Sequence, residues 1–338
     1  MNLTPLGATG IKVSRLCFGA MSFGGDAPPE TAHRLYQRCR EAGINFFDVA
    51  DVYASGRSEE ILGQCIAPER DKVIVTSKAY FPTDKTAPNA RGASRRHLML
   101  ACEASLRRLG TDYIDLYFIH RFDDHTDLHE TLRALDDLVT QGKVVYLGAS
   151  NFAAWQVAKA LGISAREGWA KFICLQPMYN LVKRIAEVEI LPMALSERLA
   201  VIPYSPLAGG LLTGKYAGAS RPEVGRFLEN AMYQKRYGDE LTHEVANRFA
   251  DFARERGCSP AALAVAWVGA HPAVTAPIIG ARNLDQLEDV LSAADIDMTA
   301  DLYDEIAALS PAPPPATDRS EEREGGDPMS VTIKPAKY

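Results

Sequence analysis

Residues 113–150 read YIDLYFIHRFDDHTDLHETLRALDDLVTQGKVVYLGAS and hold one whole unit of the architecture. The run that starts at Tyr113 (YIDLYFIH) is apolar without alternation, as a parallel strand buried on both faces is. Leu132, Leu135 and Val139 then recur at helical spacing, which predicts a helix with one apolar stripe. Gly142 stands between that helix and the next apolar run, Val144 onward (VVYLGAS), where a left-handed cap is wanted. A strand, a helix and the return to a second strand take about 30 residues, the length of one β–α unit.

Outward from this stretch the unit recurs in structure though not in sequence. Apolar runs begin at Arg15 (RLCFG), Ile44 (INFFD), Val73 (VIVTSK), Tyr113, Val144, Phe172 (FICLQ), Val201 (VIPYS) and Ala276 (APIIG). Their starts lie 29, 29, 40, 31, 28, 29 and 75 residues apart. Ala32, Leu35, Tyr36 and Cys39 form a helical stripe in the first gap. Leu98, Ala101, Cys102, Leu106 and Leu109 form another across Ser94–Leu109, with Ser94 as N-cap. Gly43 and Gly110 occupy the same helix-to-strand position as Gly142. Eight such units predict an α/β fold, a (β/α)8 TIM barrel spanning residues 1–310, rather than an open sheet.

Three segments fall outside the count. Asn2–Ser14 reads as a hairpin that plugs the barrel bottom. The long last gap holds a Gly-rich stretch, a loop and two helices, Leu241–Arg256 and Ser259–Ala270. The tail, residues 311–338, is rich in Pro and charge (PAPPPATDRSEEREGGDP) and builds no core of its own. Disorder is the expectation for it, and a flap over the barrel mouth is the alternative. No linker divides the chain.

The net charge of -6 comes with no basic stripe, which argues against a nucleic-acid partner. Arg95-Arg96 and Arg107-Arg108 read as a solvated helix face. Cys17, Cys39, Cys65, Cys102, Cys174 and Cys258 stand singly, a spacing that fits neither a disulfide framework nor a zinc cluster. Met1 to Pro5 has neither the basic nor the apolar segment of a signal peptide, and no apolar run reaches the ~20 residues of a membrane span. A soluble cytoplasmic protein is expected, monomeric or homo-oligomeric, with no membrane partner.

In βα barrels chemistry sits at the C-terminal ends of the strands. The second run ends in Asp48, the third in Lys78 and the fourth in His120, while Tyr53 follows Asp48 in the loop DVADVYASGRSEE. Each alone has a plain explanation: a helix cap, a solvated lysine, a rim histidine. Together they bring an acid, a base, an imidazole and a phenol to one rim. That set suits proton transfer to a carbonyl oxygen. A phenol of pKa near 10 is a poor acid, a nearby ammonium lowers that value, and a carboxylate holds the ammonium charged and aimed. Tyr53 then serves as general acid in reduction and general base in oxidation, with His120 orienting the substrate oxygen. No side chain supplies a hydride; a nicotinamide does.

Asp48, Tyr53, Lys78 and His120 resemble, residue for residue, the Asp–Tyr–Lys–His tetrad of the aldo-keto reductase superfamily. The runs FFDVADVYASGRSEEILG, YIDLYFIHRFD, VVYLGASNF, LQPMYNLVKR, VIPYSPLAGGLLTGKY and PIIGARNLDQLEDVL are similar to family motifs in the same order. The similarity covers about residues 3–309 and is nearer the bacterial reductases and potassium-channel β-subunits than the mammalian aldose reductases. The resemblance implies a carbonyl or alcohol substrate and NADPH/NADP+ as cofactor, with no metal site. It places the nicotinamide against Met21, Asp48, Ser150, Asn151, Gln176 and Tyr204. The pyrophosphate falls on Ser205, Pro206, Leu207, Ala208, Gly209, Gly210 and Lys215. The 2′-phosphate and adenosine fall on Gly280, Arg282, Gln286 and Asp289. Val290 departs from the family, which usually has Asn there to bond adenine.

Other readings remain open at this point. A regulatory protein that senses redox state through bound cofactor resembles the channel-subunit branch, although that branch tends to carry Asn where His120 stands. A Schiff-base aldolase would use Lys78, and a metal-dependent hydrolase would need more ligands than Asp48 and His120. The substrate loops, residues 23–28, 80–91, 121–127 and 221–237, offer Phe23, Tyr80, Phe81, Phe122, Phe227, Tyr233 and Tyr237 as a mixed aromatic lining.

Overall fold

The apolar runs become short parallel strands because each is covered on both faces. In the computed structural model, which describes residues 1–84, 86–216 and 230–317, the barrel strands are β3 (Cys17–Gly19), β4 (Phe46–Asp48), β5 (Ile74–Ala79), β6 (Ile114–Ile119), β7 (Val144–Ser150), β8 (Phe172–Gln176), β9 (Ala200–Val201) and β10 (Ile278–Ile279). They lie in the order β10-β3-β4-β5-β6-β7-β8-β9, with every neighbouring pair parallel. The Ile278 N–H donates to Pro203 O at 2.9 Å and the Thr275 N–H to Val201 O at 2.8 Å, which ties the last strand to the ninth and closes the barrel.

Two apolar layers result. Phe46, Leu116, Phe118, Cys174 and Ile202 fill the barrel interior, while Phe47, Val75, Tyr117, Leu147 and Leu175 pack outward on the helices. The interior is filled so closely that Gly148 has no alternative: a Cβ there would lie 2.3 Å from the ring of Phe118, its register partner on β6. Helix ends follow the sequence signals. Ser94 Oγ accepts the His97 N–H at the start of Arg95–Leu109, and Gly110 closes that helix at φ 64°. Gly43 and Gly142 also adopt left-handed φ, at 83° and 71°.

The N-terminal strands, β1 (Leu3–Pro5) and β2 (Lys12–Ser14), pair antiparallel as the expected hairpin. Leu6 and Val13 are fully buried among Cys17, Phe46 and Ala200, all at strand starts, so the hairpin stops the bottom of the barrel. Among its described residues the last gap holds three α-helices, one more than expected: Ala231–Tyr237 precedes Glu240–Glu255 and Pro260–Ala270. The expected disorder or flap of the tail concerns residues that, from 318 onward, lie outside the described residues. Arg108 corrects the reading of a solvated face. It turns inward, its Nε 2.6 Å from the buried carboxylate of Glu59, while Arg107 stays exposed beside Glu103.

Candidate active site

The site begins with where the backbone puts four side chains. β4 ends on Asp48, β5 carries Lys78 next to its last residue, and His120 is the first residue after β6. Val52 then leads into a turn, Tyr53–Gly56, in which Ala54 and Ser55 have φ of 45° and 56°. That left-handed pair is strained for residues with a Cβ, and it curls the Tyr53 hydroxyl back over the strand ends.

Lys78 Nζ is the hub. It donates to Asp48 Oδ2 at 2.6 Å, to Val49 O at 2.8 Å and to the Tyr53 hydroxyl at 3.4 Å, with no part of its side chain exposed. Asp48 Oδ1 is held in turn by Thr76 Oγ1 at 2.6 Å and Gln176 Nε2 at 2.8 Å. Burial works against the Lys78 charge, but Asp48 and Tyr53 outweigh it and hold the ammonium above its ordinary value. For Tyr53 the balance runs the other way. Burial pushes the phenol above its ordinary value even though Lys78 pulls it down. The sequence reading expected the ammonium to dominate; burial does. Tyr53 is therefore a phenol, not a phenolate, at neutral pH.

His120 stands edge-on to Tyr53, ring centroids 6.0 Å apart, and edge-on to Phe81 at 5.0 Å. Burial first, and the Lys78 charge second, push its pKa well below the ordinary value, so the ring is neutral. Its Nδ1 is buried without a hydrogen-bond partner.

The residues assigned to a nicotinamide join the same network. Asn151, at φ 56°, donates through Nδ2 to His120 O at 2.8 Å and to Ser150 Oγ at 3.0 Å, and its Oδ1 accepts the Tyr204 hydroxyl at 2.7 Å. Ser150 Oγ donates to Gln176 O at 3.0 Å. Met21 lies in the turn after β3 and is 42% exposed. Beyond Tyr204 the chain curls: Ser205 is left-handed (φ 59°), Leu207 has φ -89° and ψ 7°, and Ala208, Gly209 and Gly210 have φ of 50°, 69° and 95°. The change of hand from Leu207 to Ala208 turns successive N–H groups to one side, a concavity suited to an anion. The end of Lys215 lies over Gly210, where a Cβ would come within 3.2 Å of its Nζ.

A third group sits after β10. Gly280 is exposed, the Arg282 N–H donates to Gln286 Oε1 at 3.0 Å, and Asp289 is exposed further along the helix Leu284–Leu291. Arg282 Nε forms a 3.0 Å ion pair with Asp26, and Ser22 Oγ donates to Ala281 O at 2.8 Å. The two loops at the ends of β3 and β10 are thus tied together. Val290 is buried in the core, 2% exposed, so its place in the fold is packing.

Three expected pocket residues are core instead. Phe23 and Tyr237 are fully buried, Phe23 packed 5.7 Å from Phe18 and Tyr237 accepting a hydrogen bond from Asn180; Tyr233 is a third, buried at 4% exposure in the same core cluster. Tyr80, Phe81 and Phe122 remain half-buried at the mouth, whereas Phe227 lies outside the described residues. Thr76 was missed; its position two residues before Lys78, on the same strand face, was the available signal. Among the described residues no three His, Cys, Asp or Glu side chains group as metal ligands do.

Residues 15–311 match the model of the aldo/keto reductase family. The chain is 38% identical to an uncharacterized oxidoreductase of Bacillus subtilis, over 93% of this chain and 97% of the relative. It is 37% identical to a probable voltage-gated potassium channel subunit beta of Oryza sativa, over 94% and 99%. It is 33% identical to versiconal hemiacetal acetate reductase of Aspergillus parasiticus, over 88% and 94%.

Proposed function

From the fact that this chain belongs to the aldo/keto reductase family, we propose that it interconverts carbonyl compounds and alcohols with NADPH/NADP+, Tyr53 giving and taking the proton. The observation that carries the reading is Lys78 Nζ, set 2.6 Å from Asp48 Oδ2 and 3.4 Å from the Tyr53 hydroxyl.

A reduced nicotinamide, when bound, supplies the hydride. The chain supplies the rest. In reduction the Tyr53 O–H bond breaks and its proton goes to the substrate oxygen, leaving phenolate oxygen beside the Lys78 ammonium. Asp48 keeps that ammonium charged and aimed. Neutral His120 donates one hydrogen bond to the same substrate oxygen and fixes its direction. In oxidation the steps reverse, and phenolate is the base.

The left-handed Asn151, the curled Ser205–Gly210 backbone and the unpartnered Nδ1 of His120 fit a cofactor laid across the strand ends. Ser150, Asn151, Gln176 and Tyr204 would hold the nicotinamide, the Ser205–Gly210 run with Lys215 the pyrophosphate, and Arg282 a 2′-phosphate. The half-buried Tyr80, Phe81 and Phe122 favour a substrate with an apolar or aromatic body. All six cysteines are unpaired thiols, which agrees with a reducing cytoplasm.

The rice relative's name supports a second reading, a cofactor-binding regulator with little turnover. One variant separates the two. Tyr53→Phe removes an oxygen and leaves the ring, so NADPH affinity by fluorescence titration should hold while kcat falls at least ~100-fold. Retention of most of kcat would end the mechanism. Absence of turnover in the wild type, across a panel of aldehydes and ketones, would favour the regulator.

A further inference from the structure

Behind the tetrad lies a buried polar group that the reaction, as proposed, leaves unused. Asp51 and Glu59 belong to the loop and helix that carry Tyr53, and both are 0% exposed. Glu59 is fully satisfied, accepting Ser77 Oγ at 2.5 Å and Arg108 Nε at 2.6 Å. Asp51 is not. Its backbone N–H donates to Lys78 O at 3.3 Å, so it sits at the junction with β5, yet both carboxyl oxygens are buried without a side-chain partner, the neighbouring Val52 N–H alone pulling weakly on them. The Tyr117 hydroxyl on β6 is buried and unpartnered as well.

The titratable groups facing Asp51 come from four elements. Glu59 lies on the helix Arg57–Ile66, Arg108 on the helix Arg95–Leu109, Lys78 on β5 and Tyr117 on β6. Two carboxyl groups thus face one guanidinium, which is committed to Glu59, and one ammonium, which is committed to Asp48. An ionised carboxylate left over in a dry site is far costlier than a neutral acid.

We propose, on the premise that the chain is a Tyr53-dependent reductase, that Asp51 is a positioning residue of that reaction, a carboxylic acid kept neutral behind Lys78 whose ionisation slows proton exchange at Tyr53. Ionised Asp51 would strengthen the hold on the Lys78 ammonium and add a negative charge opposing phenolate at Tyr53. Oxidation, in which phenolate is the base, suffers more than reduction. Burial first, and Glu59 second, push the Asp51 carboxyl up to about 8 against the pull of Arg108, the Val52 N–H and Lys78, so the change falls within the working range of pH.

Two variants and two readouts test this in the full chain with NADPH or NADP+. Asp51→Asn keeps the shape and has no proton to lose. Glu59→Gln removes the repelling charge and frees Arg108. In kcat profiles normalised to each protein's own maximum, the wild type should lose rate several-fold through a step near pH 8, more in oxidation than in reduction. Asp51→Asn should lack the step, and Glu59→Gln should move it toward acid. The second readout is melting temperature against pH, which needs no turnover. Native Asp51 holds its proton across a window, from about pH 4 to about pH 8, in which the unfolded chain has released it. Wild-type stability therefore falls with rising pH through that window, and the advantage of Asp51→Asn should grow from pH 4 to pH 8. A constant difference in melting temperature would show Asp51 already ionised and overturn the proposal. So would a competent wild type whose alkaline step survives Asp51→Asn. A wild type that turns over no carbonyl removes the premise and the positioning role with it, while the melting curves still report the charge of Asp51.

Discussion

Replacing Lys78 by Met tests how the tetrad holds together as well as how it works. The substitution keeps the length of the side chain and removes a charge from a site with no exposure, leaving Asp48 beside an apolar group. Removing one partner of a buried ion pair typically costs ~3–5 kcal/mol. Asp48 would still accept from Thr76 Oγ1 and Gln176 Nε2, so the low end applies, about 3 kcal/mol, or roughly 4 °C in Tm for a chain of this size. Acid should relieve part of the loss, because a proton can neutralise the stranded carboxylate. Alkali acts on the wild type instead. The folded Lys78 is held above its unfolded value, so its contribution is complete below about pH 10 and fades as pH rises through the folded value. Adding Asp48→Asn removes the stranded charge, and the double variant should recover most of the stability. It should not recover catalysis, since phenolate at Tyr53 would have no cation beside it; kcat should stay at least ~100-fold down. Urea unfolding with linear extrapolation, alongside kcat for one good carbonyl substrate, reads both quantities. A single variant within about 1 kcal/mol of wild type at pH 7, against the range expected for buried pairs, or a double variant with restored kcat, would refute the reasoning.

Two further outcomes concern the cofactor and the imidazole. Arg282 must leave Asp26 to hold a phosphate, so its net share should lie near the bottom of the ~1.5–3 kcal/mol of a charge-assisted bond, about tenfold in favour of NADPH over NADH. Arg282→Ala should narrow that gap mainly by weakening NADPH, and equal wild-type affinities would rule the assignment out. Because His120 is held neutral well below its ordinary value, the kcat profile should show no limb near pH 6.5; an acid limb there that vanishes in His120→Gln would contradict it.

The barrel was readable because buried parallel strands must be apolar on both faces, which leaves a mark on every run. The caps at Ser94, Gly43, Gly110 and Gly142 were readable for a similar reason, as each satisfies a local backbone need. Pairing across the fold leaves no such mark. Arg107 and Arg108 are adjacent and identical, and only the crossing of two helices decides that the second meets Glu59. Phe23 and Tyr237 lie in segments that look like mouth loops, and nothing local shows that both turn into the core. Asp48 and Asp51 are alike on paper; three residues of chain give one a lysine, a threonine and a glutamine, and the other no side-chain partner at all. The seven-residue helix Ala231–Tyr237 is too short for its periodicity to stand out from a loop.

The hairpin beneath the barrel has a consequence for traffic. With Leu6 and Val13 wedged among the strand starts and Phe46, Leu116 and Phe118 packed above them, the described barrel offers no way through from below, and what reaches Tyr53 comes over the rim at the strand ends. In the proposed reaction substrate, product and cofactor would share that rim, so an occupant left behind after reaction would block its successor. Product release then competes with chemistry for control of the turnover rate, and residues that never meet the reacting bond, on the loops around the rim, can set the speed of the whole cycle.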